Sequence, residues 1–179
     1  TTPSTRCSAL AFHPTRALLY AVTAREDTLV WELNRQRRLI NGFKNGNPAG
    51  SRCTLMLPLT DELLAIGSSE GCVRVWDASC DCGAQRLVTA WQATPPPAET
   101  SLRNASLSGC WQPARVTLAA AGGIAPSVVF WDLSRQQRVT ELVAPLEHGA
   151  SVTALCADQQ SPLVVAGSSD GKVVALDPR

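Results

Sequence analysis

The sequence predicts an all-β fold built from four copies of one small antiparallel unit, and three observations carry the prediction. First, four short apolar runs with an acidic residue at or beside their end can be stacked on one another: TLVWEL at 28–33, CVRVWDA at 72–78, SVVFWDL at 127–133 and KVVALD at 172–177. Second, their anchor residues Trp31, Trp76, Trp131 and Leu176 stand 45, 55 and 45 residues apart, which is a repeat with one insertion. Third, each run follows another apolar run of strand length across a short polar or glycine-bearing turn, the sequence pattern of a hairpin.

The first copy reads as strands a to d at 7–13, 18–24, 28–33 and 37–43, with Arg25, Glu26 and Asp27 in the central turn. The second reads as 53–59, 63–69, 72–78 and 85–91, and its turn Glu70-Gly71 supplies a glycine able to take positive φ. The third reads as 105–112, 116–123, 127–133 and 137–143; the fourth reads as 152–158, 163–169 and 172–177 around Asp170-Gly171, without a strand d. The units therefore span 6–43, 52–91, 104–143 and 150–177 of one partial domain covering 1–179.

One small sheet has two faces to cover and covers neither alone, so the copies must stack. Radial stacking gives a β-propeller, for which a period of about 40 to 45 residues with a Trp-Asp dipeptide is the sequence mark. With Trp76-Asp77 and Trp131-Asp132 in place, and a first copy running from Ala9-Leu-Ala-Phe-His-Pro14 to Trp31-Glu32, the sequence resembles the WD-repeat family over nearly all of its length. The resemblance implies a hydrogen-bond chain from a His, through a strand-b hydroxyl and a turn Asp, to the strand-c Trp. No copy carries all of it: the fourth has His148 and Asp170 but Leu176 in place of the Trp. Apolar packing between blades is therefore expected to dominate, with Trp31, Trp76 and Trp131 largely buried between sheets and Trp76 the most sensitive.

Shorter strings narrow the resemblance. Asn45-Gly-Asn-Pro48, Leu87-Val-Thr-Ala-Trp-Gln92, Val164-Val-Ala-Gly167 and Asp177-Pro-Arg179 are similar to the C-terminal propeller of the scaffold-subunit family of the TOR kinase complex. That resemblance implies a seven-bladed ring of which these are the first four blades, with the others after Arg179. It implies a non-catalytic scaffold that presents substrates in nutrient-responsive signalling, with the subunits and substrates of the complex as protein partners. It also implies a cytoplasmic location with recruitment to the lysosomal surface. A substrate receptor of a ubiquitin ligase, or another peptide-binding adaptor, is the alternative this fold leaves open. An incomplete ring would further make the isolated chain associate through uncovered sheet faces.

Composition excludes several classes. With 45% hydrophobic and 17% charged residues the chain should fold. Its 16 basic and 15 acidic residues leave a net charge of +1, which offers no field to nucleic acid or an anionic membrane. Seven cysteines, an odd number in a chain large enough for an apolar core, point to free thiols in a reducing compartment. The longest uncharged stretch, 116–131, is interrupted by Gly122, Gly123 and Pro126 and falls short of the roughly 18 apolar residues of a spanning helix. The chain begins at Thr1 with neither Met nor a leader, so an excerpt of a longer protein without a secretory signal is expected.

No constellation for catalysis stands out. His13 and His148 lie on different copies and outside any nucleophile or zinc-helix motif. Ala121-Gly122-Gly123 lacks the Gly-Lys-Ser/Thr continuation of a phosphate loop. Cys80-Asp81-Cys82 is two ligands short of a structural zinc site, so neither metal nor cofactor is expected. The remaining candidates are partner contacts. Arg35, Arg37 and Arg38 in the first c-to-d turn, with Arg135 and Arg138 in the third, would form a basic rim for an acidic surface. Pro95, Pro96 and Pro97, in the insertion at 93–103, resist sheet pairing and should stand out as an extended loop. Asn104-Ala-Ser106 fits a glycosylation acceptor, against the reducing compartment inferred from the cysteines.

Overall fold

The computed structural model describes residues 6–79, 85–96, 106–122, 125–158 and 161–179. Its strands make four antiparallel sheets, three of four strands and one of three. The first holds β1 (Cys7–Phe12), β2 (Leu18–Thr23), β3 (Asp27–Glu32) and β4 (Arg38–Lys44). The second holds β5 (Cys53–Pro58), β6 (Leu63–Ser68), β7 (Cys72–Asp77) and β8 (Arg86–Gln92). The third holds β9 (Leu107–Gln112), β10 (Thr117–Gly122), β11 (Ser127–Asp132) and β12 (Gln137–Val143), and the fourth β13 (Val152–Ala157), β14 (Val164–Ser168) and β15 (Val173–Leu176). Each strand pairs with its sequence neighbour, so every sheet is a meander. Among the described residues no helix is long and apolar enough to cross a membrane.

Local departures from regular pairing have identifiable causes. Strand b of the third sheet starts at Thr117 rather than Val116, because Pro113–Arg115 forms a 3-10 turn that Val116 ends at φ 53°. That conformation is unusual for a β-branched residue. The pairing of strands c and d shifts register between Val30 and Trp31 and again between Phe130 and Trp131. A bulge there lets the outer strand part from the Trp while the inner ladder continues.

The chain divides into two compact units, Thr1–Ser68 with Val73–Trp91, and Ser69–Cys72 with Gln92–Arg179. In the first, Tyr20, Val22 and Val30 of one sheet and Met56, Leu64, Ile66 and Trp76 of the next form one buried cluster. In the second, Cys110, Ala119, Val128 and Phe130 cluster with Val152, Val164, Ala166 and Leu176. Ala119 and Ala121 of β10 and Phe130 of β11, all wholly buried, belong to this second cluster. A side chain of the size of Phe130 contributes about 1.5–3 kcal/mol.

Burial of the three anchors is unequal. Trp76 is 9% exposed, and its ring lies 5.0 Å from that of Phe43 at a tilt of 50°. Trp31 and Trp131 are partly buried, less deeply than Trp76. The insertion also departs from the expected loop at its root. Ala93 and Thr94 are buried and both donate their amides to Gly71 O, at 2.8 and 3.2 Å. Pro95 and Pro96 are exposed, and Pro97 lies outside the described residues.

Candidate functional site

The repeats share one joint. The residue just after strand d donates its amide to the b-to-c turn of its own sheet: Asn45 to Glu26 O at 3.2 Å, Ala93 to Gly71 O at 2.8 Å and Ala144 to Pro126 O at 2.8 Å. All three joint residues are buried. Each joint fixes where the linker to the next strand a sets out, and the candidate site is built on the second of them.

There the linker runs from Ala93 to Pro95 beside Trp131, whose indole Nε1 donates to Ala93 O at 3.2 Å. Gln92 Nε2 donates to Glu70 O and Thr94 O, at 2.6 and 2.7 Å. These bonds hold Pro95 at the wall of a recess of about 240 Å³ that Val129, Trp131, Arg138 and Glu141 complete. Arg138 Nη2 pairs with Glu141 Oε2 at 2.7 Å, so the recess carries a neutralised ion pair beside apolar walls. Its volume is below the roughly 300 Å³ at which small-molecule pockets begin.

Of the candidate contacts, Pro95 and Arg138 thus meet around Trp131, an association their sequence spacing does not indicate. The other arginines do not join them. Arg38 Nε lies 3.4 Å from Glu32 Oε2 and Arg135 Nε 3.7 Å from Asp132 Oδ2. Arg35 and Arg37 are exposed, with no ion pair among the described residues. Cys80, Asp81, Cys82, Gly123 and Asn104 lie outside the described residues.

The fourth sheet keeps half of the implied WD hydrogen-bond chain. The Ser168 hydroxyl donates to Asp170 Oδ1, and Oδ2 accepts the Glu147 amide at 3.1 Å. The hydroxyl is the main reason the Asp170 carboxyl is pushed down to about 2. His148, expected in this chain, is exposed, and the neighbouring Glu147 amide supplies the bond. In the second sheet the Ser68 hydroxyl and the Trp76 indole N–H are both buried with no hydrogen-bond partner among the described residues. Burial pushes the Cys53 and Cys110 thiols up to about 12, which makes them poor nucleophiles. Among the described residues no three His, Cys, Asp or Glu are grouped as a metal site would need.

Two further polar constellations have no signature in the sequence. Glu26, at φ 63°, accepts Asn45 Nδ2 at 2.7 Å and Asn47 Nδ2 at 2.9 Å on Oε2, with the Cys53 amide at 3.1 Å. Arg74 Nη1 donates to Asn47 Oδ1 at 2.8 Å. The second constellation centres on the buried His13, whose Nδ1 accepts the amides of Thr15 and Arg16 at 3.2 and 3.0 Å. Those two donors place the ring proton on Nε2. A second recess, of about 450 Å³, is lined by Leu29, Gly42 and Phe43 with the Lys44–Asp27 pair.

Comparison with known proteins agrees with this architecture. A family model described as WD domain, G-beta repeat matches residues 140–175. The protein raptor homolog of Dictyostelium discoideum is 28% identical over 96% of the chain. Regulatory-associated protein of TOR 1 of Arabidopsis thaliana is 32% identical over 93% of it. The crystal structure of Chaetomium thermophilum Raptor superposes on 99% of the chain with a TM-score of 0.83 at 24% identity. The chain spans 12% of the length of each of those two relatives and 16% of that crystallised chain. The fold is that of a β-propeller with a WD repeat matched at residues 140–175, and over nearly its whole length the chain is similar to Raptor proteins.

Proposed function

We propose that this segment is a protein-interaction surface within a scaffold subunit of the TOR kinase complex and performs no catalytic step of its own. The observation that carries the reading is the similarity to Raptor proteins along almost the entire chain. The site chemistry is compatible with it: the recess at Trp131 offers an indole, a proline and an internally neutralised ion pair, the lining of a surface that receives a side chain. Further blades of the same ring would cover the apolar flanks, where Leu10 and Phe12 are 58% and 67% exposed and Val173 is 74% exposed.

The test is affinity purification of the full-length protein with quantification of co-purifying proteins. TOR kinase at near-stoichiometric yield is expected, and recovery of ubiquitin-ligase subunits in its place would overturn the reading. Location in the cytoplasm, with nutrient-dependent recruitment to the lysosomal surface, belongs to the same proposal. Imaging the tagged protein against a lysosomal marker through amino-acid withdrawal and return tests it, and a distribution that ignores nutrients refutes that part.

A further inference from the structure

We propose that three positions, the b-to-c turn, the linker after strand d and strand c of the following sheet, form a matched set by which one blade recognises the next, and that this chain contains a charged and an apolar version of it. The charged version is Glu26, Asn47 and Arg74. Glu26 takes the Asn47 amide N–H on its carboxylate, which turns Asn47 Oδ1 towards Arg74 Nη1 at 2.8 Å. The side-chain amide has one orientation because a negative group stands on one side and a positive group on the other.

At the next joint the turn residue is Gly71, the linker residue is Pro95 and the strand-c residue is Val129, and the last two line one recess. At the joint after that, Leu146 and Val174 pack against the same buried cluster. The positions therefore change character together, polar with polar and apolar with apolar. A mixed set would leave the Arg74 guanidinium half-buried without its Asn47 partner, whereas replacing the whole set removes both charges and leaves the Asn45 side-chain amide and the Cys53 N–H, which Glu26 also accepts, to find another acceptor. Such matching favours the correct neighbour and penalises the wrong one.

Hydrogen exchange followed by mass spectrometry in the full-length protein tests this, read over residues 45–58, which include the linker and β5. Glu26→Gly, Asn47→Leu and Arg74→Val should each speed exchange there by about tenfold, while the triple variant, which like Glu26→Gly leaves the Asn45 side-chain amide and the Cys53 N–H without their acceptor, should be no faster than Glu26→Gly alone. A triple variant whose acceleration reaches the product of the three single effects overturns the proposal. If a single variant does not accumulate, Glu26→Gln and Arg74→Gln, alone and combined, supply the same comparison. The combination should then be no faster than the faster single variant, and multiplied effects again overturn the proposal.

Discussion

His13 donates through Nε2 to the carbonyl oxygen of Asp61 at 3.0 Å, which ties the end of β1 to the a-to-b turn of the next sheet. Gln112 makes the equivalent bond at the end of β9, donating through Nε2 to Pro162 O at 2.9 Å. A His and a Gln thus serve one purpose at matching places in the two units. His13→Gln should therefore change stability by less than about 1 kcal/mol. His13→Leu, which abandons the Thr15 and Arg16 amides as well as Asp61 O, should cost about 1–3 kcal/mol. Chemical denaturation of both variants decides the matter; equal losses would show that the ring acts by shape alone.

Trp76 is the anchor whose truncation should be felt most, because among the three it is the most deeply buried, and its ring packs at a tilt against that of Phe43. Trp76→Ala is expected to cost about 3–5 kcal/mol, and Trp31→Ala and Trp131→Ala distinctly less. Arg37→Ala, on an exposed turn, should stay within about 0.5 kcal/mol. Unfolding midpoints and soluble yields of the four variants in the full-length protein give the order directly.

Gly71 and Gly171 share nearly the same backbone, at φ 82° and 81°, but differ in their surroundings. A Cβ at Gly71 would meet Thr94 Oγ1 and the Thr94 carbonyl oxygen, whereas one at Gly171 meets nothing within 4 Å. Gly171→Ala should cost about 1–2 kcal/mol for the left-handed conformation alone, and Gly71→Ala more, since the linker must also move. Similar midpoint shifts for the two variants would contradict this.

Asp170 makes the hairpin of the fourth sheet sensitive to acid. Its carboxyl titrates near 2 in place of the ordinary 3.8, mainly through the Ser168 hydroxyl. Because the folded value is the lower one, its stabilisation is fully present above about pH 4 and is lost as pH falls through 2. In Ser168→Ala the Asp170 resonance should titrate closer to the usual carboxyl range, as read by NMR. An unshifted titration would assign the effect to the Glu147 amide.

The second sheet has nearly the same hairpin, Gly67-Ser-Ser-Glu-Gly71 against Gly167-Ser-Ser-Asp-Gly171, and its Ser68 hydroxyl is buried with no hydrogen-bond partner among the described residues. Glu70→Asp should give Ser68 the acceptor that Ser168 already has and stabilise by about 0.5–1.5 kcal/mol. A denaturation midpoint that falls would show that the longer side chain is needed at that turn.

The sheets and their order were legible because their causes are local. Alternating apolar residues, Gly71, Gly171 and the Trp-Asp pairs each announce a strand or a turn within a few residues. Sites assembled across sheets were not legible. Glu26, Asn47 and Arg74 each read as an ordinary polar residue, and their contact exists only because a joint at Asn45 brings residues 27 apart in sequence within 2.8 Å. Likewise nothing in the spacing of Pro95 and Arg138 reveals that Trp131 sits between them. The depth to which each Trp anchor is buried depends on the facing side chain, such as Phe43 at Trp76, and not on the anchor's own sequence.

The meander has a consequence for how the chain acquires its shape. Since within each sheet every strand after the first pairs with the one before it, each sheet closes short loops, at small entropic cost, and contains the nucleus of its own formation. A blade can therefore assemble as soon as its own residues leave the ribosome, but its faces stay bare until the next blade follows. Synthesis order thus becomes assembly order, and the vulnerable species during biogenesis is a finished sheet waiting for its neighbour.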